Sequence, residues 1–597
     1  MKSGHSFRRH LSLFWVSCLG LFFEMLLIRW LSSEIRIFAY FHNLILLFCF
    51  FGIGLGCALA DKKSYFMISF AVLSLLVSVL SLGPLLGLFS FQKISSYLSY
   101  GSNFVVWYNS AQGWAGTSLL SFLLGLGLLL FCMLCITLFF VPFGQRIGRL
   151  LNEHNRPLSG YFVNLLGSLF GILLFFGVSY FSLPPYLWFA LGGIGLVPLL
   201  FERRWQALIG VALVFGCVFL LFKDYHSKNW TLWSPYQKLT IIPRAVEVNN
   251  RSVPDGYVIW VNSVRYMMIT DYSAQFKQRY PILFPRDIVP YDHYNIAYRF
   301  MKEPGDVLIL GAGAGNDTAG ALRNGARSVD AVELDPKIIE IGERLHPEAP
   351  YKSPRVHVAV DDARSFIRKT SHRYDLVVLG LLDSHALSSS YSNVRLDNYV
   401  YTLESFREIK RLLKPNGVVV LVFAVADEFI GARFQQLLTQ VFEHPPVEFQ
   451  VHSGFRGWGG YGFVTGNEKV IKESLSRDPH LQSIVQGSQG FLHSWSSYKI
   501  DLTTDDWPYL YLRDKTIPNL YYFVFFLLAL FSYIGIKKVT GKTYQNEWHF
   551  LFLGAGFLLL EVQSISKSAL LFGGDLDCQC TGDWRHSHDV AFGELPL

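Results

Sequence analysis

The residues with the clearest chemical potential follow a short apolar run in the middle of the chain. Residues 307–310 have the apolar, β-branched character of a strand that is buried on both faces. Three glycines follow at alternate positions, Gly311, Gly313 and Gly315, and they let the backbone turn tightly and approach a ligand closely. Residues 318–324 then suit a helix whose free N–H groups would point at a ligand above the turn.

An acidic residue stands where it could bind the sugar of such a ligand. A second predicted strand, residues 328–334, carries Glu333. An acid about twenty residues beyond a glycine turn accepts hydrogen bonds from both hydroxyls of a ribose. Strand, glycines, helix and acid occur in this order, so we predict a nucleoside-cofactor site rather than a purely structural turn.

The spacing of the glycines separates two classes of nucleoside site. A dinucleotide site has the pattern G-x-G-x-x-G, whereas this turn has the pattern G-x-G-x-G. The shorter pattern resembles the S-adenosylmethionine-binding turn of class I methyltransferases and of their relatives, the spermidine synthases. That superfamily places an acid against the adenine amino group after its third strand. Here Asp362 and Ala363 follow the predicted third strand, residues 356–360.

Residues 230–430 as a whole resemble a spermidine synthase, or polyamine aminopropyltransferase, flanked by membrane spans. The residues that carry the resemblance, in chain order, are Tyr236, Gln237, Tyr291, His293, Glu333, Asp362 and Asp383. The resemblance implies that Gln237 and Glu333 hold the nucleoside and that Asp362 contacts the adenine. It also implies that acids after the fourth strand, residues 374–379, bind the amine.

The chain departs from the family pattern at three positions. Ala314 stands where the family has the aspartate that pairs with the aminopropyl ammonium of decarboxylated S-adenosylmethionine. Gly380 replaces the first of two acids after the fourth strand, and Tyr266 stands where the family has a glutamine. The nucleoside pocket is therefore kept, with fewer acids to bind a polyamine.

The residues also offer a route for the chemistry. A sulfonium cofactor is already activated, so the protein mainly has to position a nucleophile in line with the reacting carbon. An amine nucleophile must lose its proton to an acid or histidine within hydrogen-bond reach. Asp383 and His385 are the candidate bases, with Tyr291 as an orienting group, and residues 384–398 would form a mobile lid.

Three functions fit this set of residues. The first is a membrane-bound, spermidine synthase-like transferase that moves an aminopropyl group from decarboxylated S-adenosylmethionine to a polyamine. The second is an S-adenosylmethionine-dependent methyltransferase, because Ala314 would not repel the carboxylate of that cofactor. The third is a non-catalytic nucleoside-binding sensor coupled to a membrane transporter. The expected partners are a small amine or other acceptor and the lipid bilayer, with no nucleic acid and no metal; a homodimer stays open.

The elements that position these residues alternate between strands and helices. Alternation of this kind predicts a doubly wound α/β sheet of the Rossmann-like methyltransferase type. A small antiparallel β layer precedes it, with strands at 239–242, 257–262 and 266–269 and a Pro-Asp-Gly turn at 254–256. Beyond the site, a helix over 402–413 and a buried strand over 418–424 continue the pattern.

Composition predicts a polytopic α-helical membrane region around this soluble part. The chain has 597 residues, of which 51% are hydrophobic, and its mean hydropathy is +0.31. The apolar stretches long enough to cross a bilayer are residues 11–30, 39–60, 65–91, 117–142, 159–181, 185–201 and 205–222, with further spans after Ile517 and near Trp548. Glu24 and Arg29 lie inside the first stretch, where we expect structural contacts to neighbouring helices rather than a transport role.

These features divide the chain into five segments. They are a multi-span membrane region (1–225), the β layer (226–300), the α/β domain (301–515), C-terminal spans (516–573) and a polar tail (574–597). The tail breaks the last apolar stretch abruptly, which is typical of a frameshift. A Cys/His metal cluster in the tail is the alternative interpretation, although its spacing is poor for zinc.

Charge and cysteine usage narrow the function further. The net charge is +7, and the basic residues of the apolar region collect in short loops, which is typical of membrane topology rather than nucleic-acid binding. Residues 223–577 contain no cysteine, so they hold neither a disulfide framework nor a C-x-x-C metal site. We therefore expect a multi-pass protein of a bacterial-type inner (plasma) membrane. The loops place the soluble part outside, whereas adenosylmethionine is made in the cytosol, so its side stays open.

Overall fold

The computed structural model describes most of the chain, which divides into two compact units. The described residues are 2–35, 38, 42–82, 94, 119–154, 156–200, 204–226, 230–285, 287–382, 398–425, 427–451, 457, 459–492, 495, 498–517, 519–540, 549, 552, 554–556, 559 and 560. The first unit comprises Met1–Thr240, Val261–Val264 and Ile517–Leu559, and the second comprises Ile241–Trp260, Arg265–Thr516 and Leu560–Leu597.

The first unit is built from apolar helices. They are α1 (Lys2–Glu34), α2 (His42–Ala58), α3 (Met67–Leu82), α4 (Leu119–Asn152), α5 (Pro157–Tyr180), α6 (Pro185–Leu196) and α7 (Arg204–Tyr225), with a further helix at Asn519–Thr540. Each of the seven apolar stretches predicted in this region overlaps one of these seven helices, and the predicted residues 39–41, 83–91 and 117–118 lie outside the described residues. Among the described residues, the helices long and apolar enough to cross a bilayer are Phe7–Glu34, Leu119–Asn152, Pro157–Tyr180 and Arg204–Tyr225.

Small residues let these helices approach each other closely. G-x-x-x-G pairs occur at Gly52/Gly56 in α2, Gly144/Gly148 in α4 and Gly167/Gly171 in α5. A Cβ atom at Gly56 would lie 2.2 Å from the carbonyl oxygen of Val141, and one at Gly171 would lie 2.1 Å from that of Cys18. The backbones of α2 and α4, and of α1 and α5, are therefore in direct contact, as small-residue pairs allow in apolar surroundings.

The polar residues near the end of α1 make structural contacts, as expected for Arg29. Its guanidinium carbon lies 5.1 Å from the ring centre of Trp188 and 5.9 Å from that of Trp233. The same group donates a hydrogen bond to the carbonyl oxygen of Ser234. One turn further on, Glu34 forms a 2.8 Å ion pair with Lys238. These contacts tie the end of α1 to the strands that follow the helices.

A four-stranded sheet follows the helices. Its strands β1 to β4 are adjacent in chain order and comprise Trp230–Trp233, Lys238–Val248, Arg251–Val261 and Val264–Thr270. The prediction of a small β layer agrees with this sheet, but the predicted turn at 254–256 is wrong because these residues lie within β3. The turns are instead two asparagine-containing pairs with positive φ angles, Asn249–Asn250 and Asn262–Ser263, as tight hairpins require.

Long-range contacts explain why Pro-Asp-Gly does not turn. The Asp255 carboxylate is buried and accepts two hydrogen bonds from the Arg244 guanidinium, at 2.8 and 2.7 Å. A Cβ atom at Gly256 would lie 1.9 Å from the carbonyl oxygen of Ile269, so the glycine serves close packing of β3 against β4. A bidentate ion pair across the sheet thus overrides the local turn preference.

The second sheet has seven strands and carries the predicted chemistry. Its strands are β5 (Asp306–Leu310), β6 (Ser328–Glu333), β7 (Val356–Val360), β8 (Tyr374–Gly380), β9 (Leu413–Phe423), β10 (Val447–Val451) and β11 (Gly460–Gly466). The spatial order is β10-β11-β9-β8-β5-β6-β7. Strands β5 to β9 pair in parallel, and β11 pairs antiparallel with both β9 and β10. The predicted Rossmann-like α/β class is confirmed by this topology.

Helices of the second unit connect these strands. They are α8 (Ala274–Arg279), α9 (Ala297–Phe300), α10 (Asn316–Arg323), α11 (Pro336–Leu345), α12 (Ala363–Lys369), α13 (Leu403–Arg411), α14 (Glu428–Phe442), α15 (Glu468–Arg477) and α16 (Pro479–Leu492). The side chains of residues 307–310 in β5 are fully buried, because helices cover both faces of a parallel sheet. Strand order reverses at β5, which has β6 on one side and β8 on the other. In open α/β sheets, ligands bind beyond the strand ends at such a point.

Candidate active site

A pocket lies at the carboxyl ends of β5, β6 and β8, within the second unit. Its lining residues are Tyr266, Met267, Met268, His293, Tyr294, Gly311, Ala312, Gly313, Ala314, Asn316, Asp317, Val332, Glu333, Leu334, Asp361, Asp362, Ala363, Gly380, Leu381, Leu382 and Val400. They come from strand ends, from the helix starts that follow them and from β4. Neighbouring parallel strands deliver these segments to one edge, where the strand order reverses.

The predicted glycines form the floor of this pocket and the start of α10. Their φ angles are +76° at Gly311, +57° at Gly313 and +105° at Gly315, which residues with a Cβ atom rarely adopt. Gly311 and Gly313 line the pocket, and Gly315 is the N-cap residue of α10. The turn therefore brings bare backbone to the pocket, which is what a tightly held ligand requires.

Glu333 lies at the end of β6, and backbone groups hold its carboxylate. Its Oε2 accepts a 2.9 Å hydrogen bond from the Gly313 N–H, and its Oε1 accepts a 3.0 Å bond from the Asp335 N–H. Burial raises the pKa of Glu333 to about 7, although these two N–H groups act in the opposite direction. A carboxylate has about four acceptor positions, so both oxygens keep capacity for the hydroxyls of a ribose.

Asp362 and Ala363 line the pocket at the start of α12. The Asp362 carboxylate caps this helix by accepting a 2.9 Å hydrogen bond from the Ser365 N–H. Burial raises the pKa of Asp362 to about 6. The neighbouring Asp361 also lines the pocket, and its Oδ1 accepts a 2.8 Å bond from the Asp362 N–H. Asp362, which the sequence predicts to contact the adenine, therefore also has a structural role as a helix cap.

Tyr291 is not among the described residues that line the pocket, and its orienting role stays a prediction. Its hydroxyl donates to the Asp478 carboxylate at 3.0 Å, and its ring lies 5.2 Å from the Arg299 guanidinium carbon. This acid–base pair holds the phenol outside the pocket lining. His293, two residues later, does line the pocket, and its ring centre lies 3.7 Å from that of Tyr294.

Gln237, Asp383 and His385 are the remaining residues predicted for the site. Gln237 is buried in the first unit, where its backbone N–H donates to Ser234 Oγ at 3.0 Å. Asp383 and His385, together with the predicted lid up to residue 397, lie outside the described residues. The structure therefore brings the glycines, Glu333, Asp362 and Ala363 to one place, and the base stays a prediction.

Sequence reasoning missed two polar residues of the pocket, Asn316 and Asp317. Asn316 links the start of α10 to β4, since its Nδ2 donates to the carbonyl oxygen of Met268 at 2.5 Å and its Oδ1 accepts from the Thr270 N–H at 3.3 Å. Burial raises the pKa of Asp317 to about 7, with a further upward contribution from Asp292. Both residues follow the glycine turn directly, and this position was the signal that could have identified them.

The described lining residues of the pocket that are acids outnumber any that carry a fixed positive charge. Its acids are Asp317, Glu333, Asp361 and Asp362, and the described lining residues include no lysine or arginine. Three of these acids have pKa values raised by burial. Perturbed acids in a cleft of this kind indicate a functional site. The pocket is suited to a ligand that combines a nucleoside with positive charge.

Comparison with known proteins agrees with this geometry. Residues 293–442 match the family model of the spermine/spermidine synthase domain. A polyamine aminopropyltransferase of Korarchaeum cryptofilum is 30% identical over 185 residues, which cover 30% of this chain and 54% of that protein. One from Saccharolobus solfataricus is 26% identical over 204 residues, covering 33% of this chain and 64% of that protein. The chain thus spans about half to two thirds of the length of these curated relatives.

Solved structures of spermidine synthases are also similar to this chain. One in complex with the transition state analogue AdoDATO is 15% identical, covers 52% of this chain and 87% of its own, and has a TM-score of 0.31. A probable spermidine synthase from Corynebacterium glutamicum is 17% identical, with coverage of 48% and 97% and a TM-score of 0.32. Residues 293–442 are thus similar to the spermine/spermidine synthase domain, and they contain most of the parallel sheet described above.

Proposed function

We propose that the second unit transfers an aminopropyl group from decarboxylated S-adenosylmethionine to a polyamine or related amine. The observation that carries this proposal is the pocket itself. It combines a glycine turn and Glu333, which suit a nucleoside, with a lining of four acids and no described lysine or arginine, which suits a cation. The curated relatives are named polyamine aminopropyltransferases, which supports the same reaction.

The residues of the pocket fit the donor. Glu333 would accept the ribose hydroxyls with the acceptor positions that its two backbone hydrogen bonds leave open. Asp362 and Ala363 would contact the adenine. The sulfonium supplies an electrophilic carbon: the amine nitrogen bonds to the aminopropyl carbon, the carbon–sulfur bond breaks, and neutral methylthioadenosine leaves with the electron pair.

The protein must then position the amine and take its proton. Asp383 and His385, which follow β8, are the proposed bases, because this strand ends at the pocket. A base within hydrogen-bond reach of the amine accelerates such a step. His293 lines the same pocket and is a further group that could contact the amine. Tyr291 is engaged with Asp478 and has no part in this proposal.

The charge of the pocket distinguishes the aminopropyltransferase hypothesis from the methyltransferase hypothesis. S-adenosylmethionine carries a carboxylate, and no described lining residue is a lysine or arginine that could pair with it. Its decarboxylated form lacks that group and keeps both its ammonium and its sulfonium. Burying an unpaired carboxylate beside other acids is costly, so the pocket favours the decarboxylated donor.

The helices of the first unit support a membrane location. We propose that the chain is a multi-pass protein of a bacterial-type inner membrane. Four described helices have the length and apolar character to cross a bilayer. Full-length protein should stay in the membrane pellet after alkaline carbonate washing, because crossing helices are not released by loss of surface charge. Its release into the supernatant, in parallel with a peripheral control protein, would contradict this proposal.

The donor preference can be measured directly. In calorimetry on the full-length protein, decarboxylated S-adenosylmethionine should bind about tenfold or more tightly than S-adenosylmethionine, because the described lining offers four acids and no lysine or arginine. Incubation with the decarboxylated donor and a polyamine should release methylthioadenosine. Preference for S-adenosylmethionine would support the methyltransferase hypothesis instead. Binding without turnover would support the nucleoside-sensor hypothesis.

Binding of the nucleoside should depend on pH through Glu333. Its pKa of about 7 means that the accepting, ionised form prevails above pH 7 and is lost as the pH falls. The affinity for methylthioadenosine should therefore fall about tenfold between pH 8 and pH 6. Glu333→Gln should bind about tenfold more weakly at pH 8 and keep only a weaker pH step near 6, from Asp362. The same midpoint near pH 7 in this variant would assign the titration to another group.

The proposed base can be separated from nucleoside binding. Asp383→Asn preserves the shape of the side chain but removes its ability to accept a proton. We expect nearly unchanged affinity for methylthioadenosine and a turnover reduced about 100-fold or more. His385→Gln is the matched variant at the second candidate. Undiminished turnover in Asp383→Asn, combined with a large loss in His385→Gln, would transfer the role of base to the histidine.

A further inference from the structure

The Asp317 carboxylate occupies the space that a side chain at the end of β8 would fill. A Cβ atom built on Gly380 would lie 2.6 Å from Asp317 Oδ1, 2.9 Å from Cγ and 3.1 Å from Oδ2. Asp317 belongs to the first turn of α10, and both residues line the pocket. The missing side chain at residue 380 therefore makes room for a carboxylate delivered from a different element.

This contact bears on the two acids that the sequence lacks. Ala314 and Gly380 are the positions at which the resemblance predicts acids for the ammonium groups of the substrates. Asp317 lies three residues after Ala314 and packs directly on Gly380. One carboxylate is thus present at the end of β8, where the sequence pattern alone shows that an acid is missing.

The charged groups around Asp317 stabilise its carboxylate only weakly. The described lysine and arginine side chains form no ion pair with it. Arg323, whose charge lowers its pKa, is engaged at 2.6 Å with Glu348. Asp292, whose charge raises the pKa of Asp317, accepts hydrogen bonds from the Tyr272 hydroxyl at 2.6 Å and from Asn295 Nδ2 at 2.8 Å. Asp317 is therefore a buried acid that lines the pocket and has no ion-pair partner among the described residues.

We propose that Asp317 binds a primary ammonium group of a substrate, as a specificity-determining residue of the aminopropyl transfer proposed above. Two substrates carry this chemistry, namely the aminopropyl chain of the donor and the polyamine acceptor. A carboxylate accepts charge-assisted hydrogen bonds from an ammonium and stabilises it strongly where water is excluded. Asp317 can hold this position only while residue 380 is glycine, because any side chain there would displace the carboxylate.

Methylthioadenosine makes the assignment testable, because it has the nucleoside part of the donor but no ammonium. Calorimetry on the full-length protein would compare wild type and Asp317→Asn with three probes: methylthioadenosine, decarboxylated S-adenosylmethionine, and the diamine putrescine added to the methylthioadenosine complex. We expect Asp317→Asn to bind methylthioadenosine within about twofold of wild type and to bind one ammonium ligand about tenfold or more weakly. A selective loss for the donor or for putrescine identifies which ammonium Asp317 contacts.

Two further variants control for structural effects. Gly380→Ala should reproduce the same selective loss, because its Cβ atom would push the carboxylate aside. Glu340→Gln removes a carboxylate paired with Lys337 and Arg344 on α11 and should change none of the three affinities. Equal loss of methylthioadenosine and amine binding in Asp317→Asn, or no loss of either, would overturn the assignment. If wild type binds none of the probes, the proposed function itself fails.

Discussion

One hydrogen bond joins the two strand ends on which the pocket depends. The Gly313 N–H, in the turn after β5, donates at 2.9 Å to the Glu333 carboxylate at the end of β6. The turn is held from its other side by the Tyr351 hydroxyl, which donates at 2.6 Å to the Gly313 carbonyl oxygen. A Cβ atom at Gly342 of α11 would lie 2.6 Å from the carbonyl oxygen of Ala314. The ligand-facing backbone is therefore fixed before any ligand arrives, which lowers the entropic cost of binding.

Burial of the pocket acids has an unfavourable electrostatic free energy. Glu333, Asp317 and Asp362 have raised pKa values because burial disfavours their charged forms. A buried acid whose pKa is raised on folding stabilises the folded protein at low pH. This stabilisation is lost as the pH rises through the pKa of the folded state. Ionisation of these acids near neutral pH therefore destabilises the folded protein, and a bound cation would offset that loss. Function and stability oppose each other at this site.

The two units are stabilised by different physical means. In the first unit, glycine pairs such as Gly144/Gly148 let helix backbones touch, and the Arg29 guanidinium packs near the rings of Trp188 and Trp233. In the second unit, a buried parallel sheet covered by helices provides the core. The buried Arg433 of α14 shows how side chains secure irregular segments there, since its guanidinium donates to the carbonyl oxygens of Leu512 and Arg513 at 2.8 and 3.0 Å.

The amino-acid sequence by itself determined the α/β class, the parallel strands β5 to β8 to within one residue, the seven helical stretches before the sheet and the glycine turn with Glu333, whereas β9 begins five residues before its predicted start. These depend on periodicity and turn chemistry, which are local properties. Only the tertiary structure decided the β3 register, where Asp255 pairs with Arg244, and the position of Tyr291, which Asp478 holds. It alone placed Asp317 on Gly380, because contacts between residues far apart in the chain are set by how the elements pack and leave no local pattern.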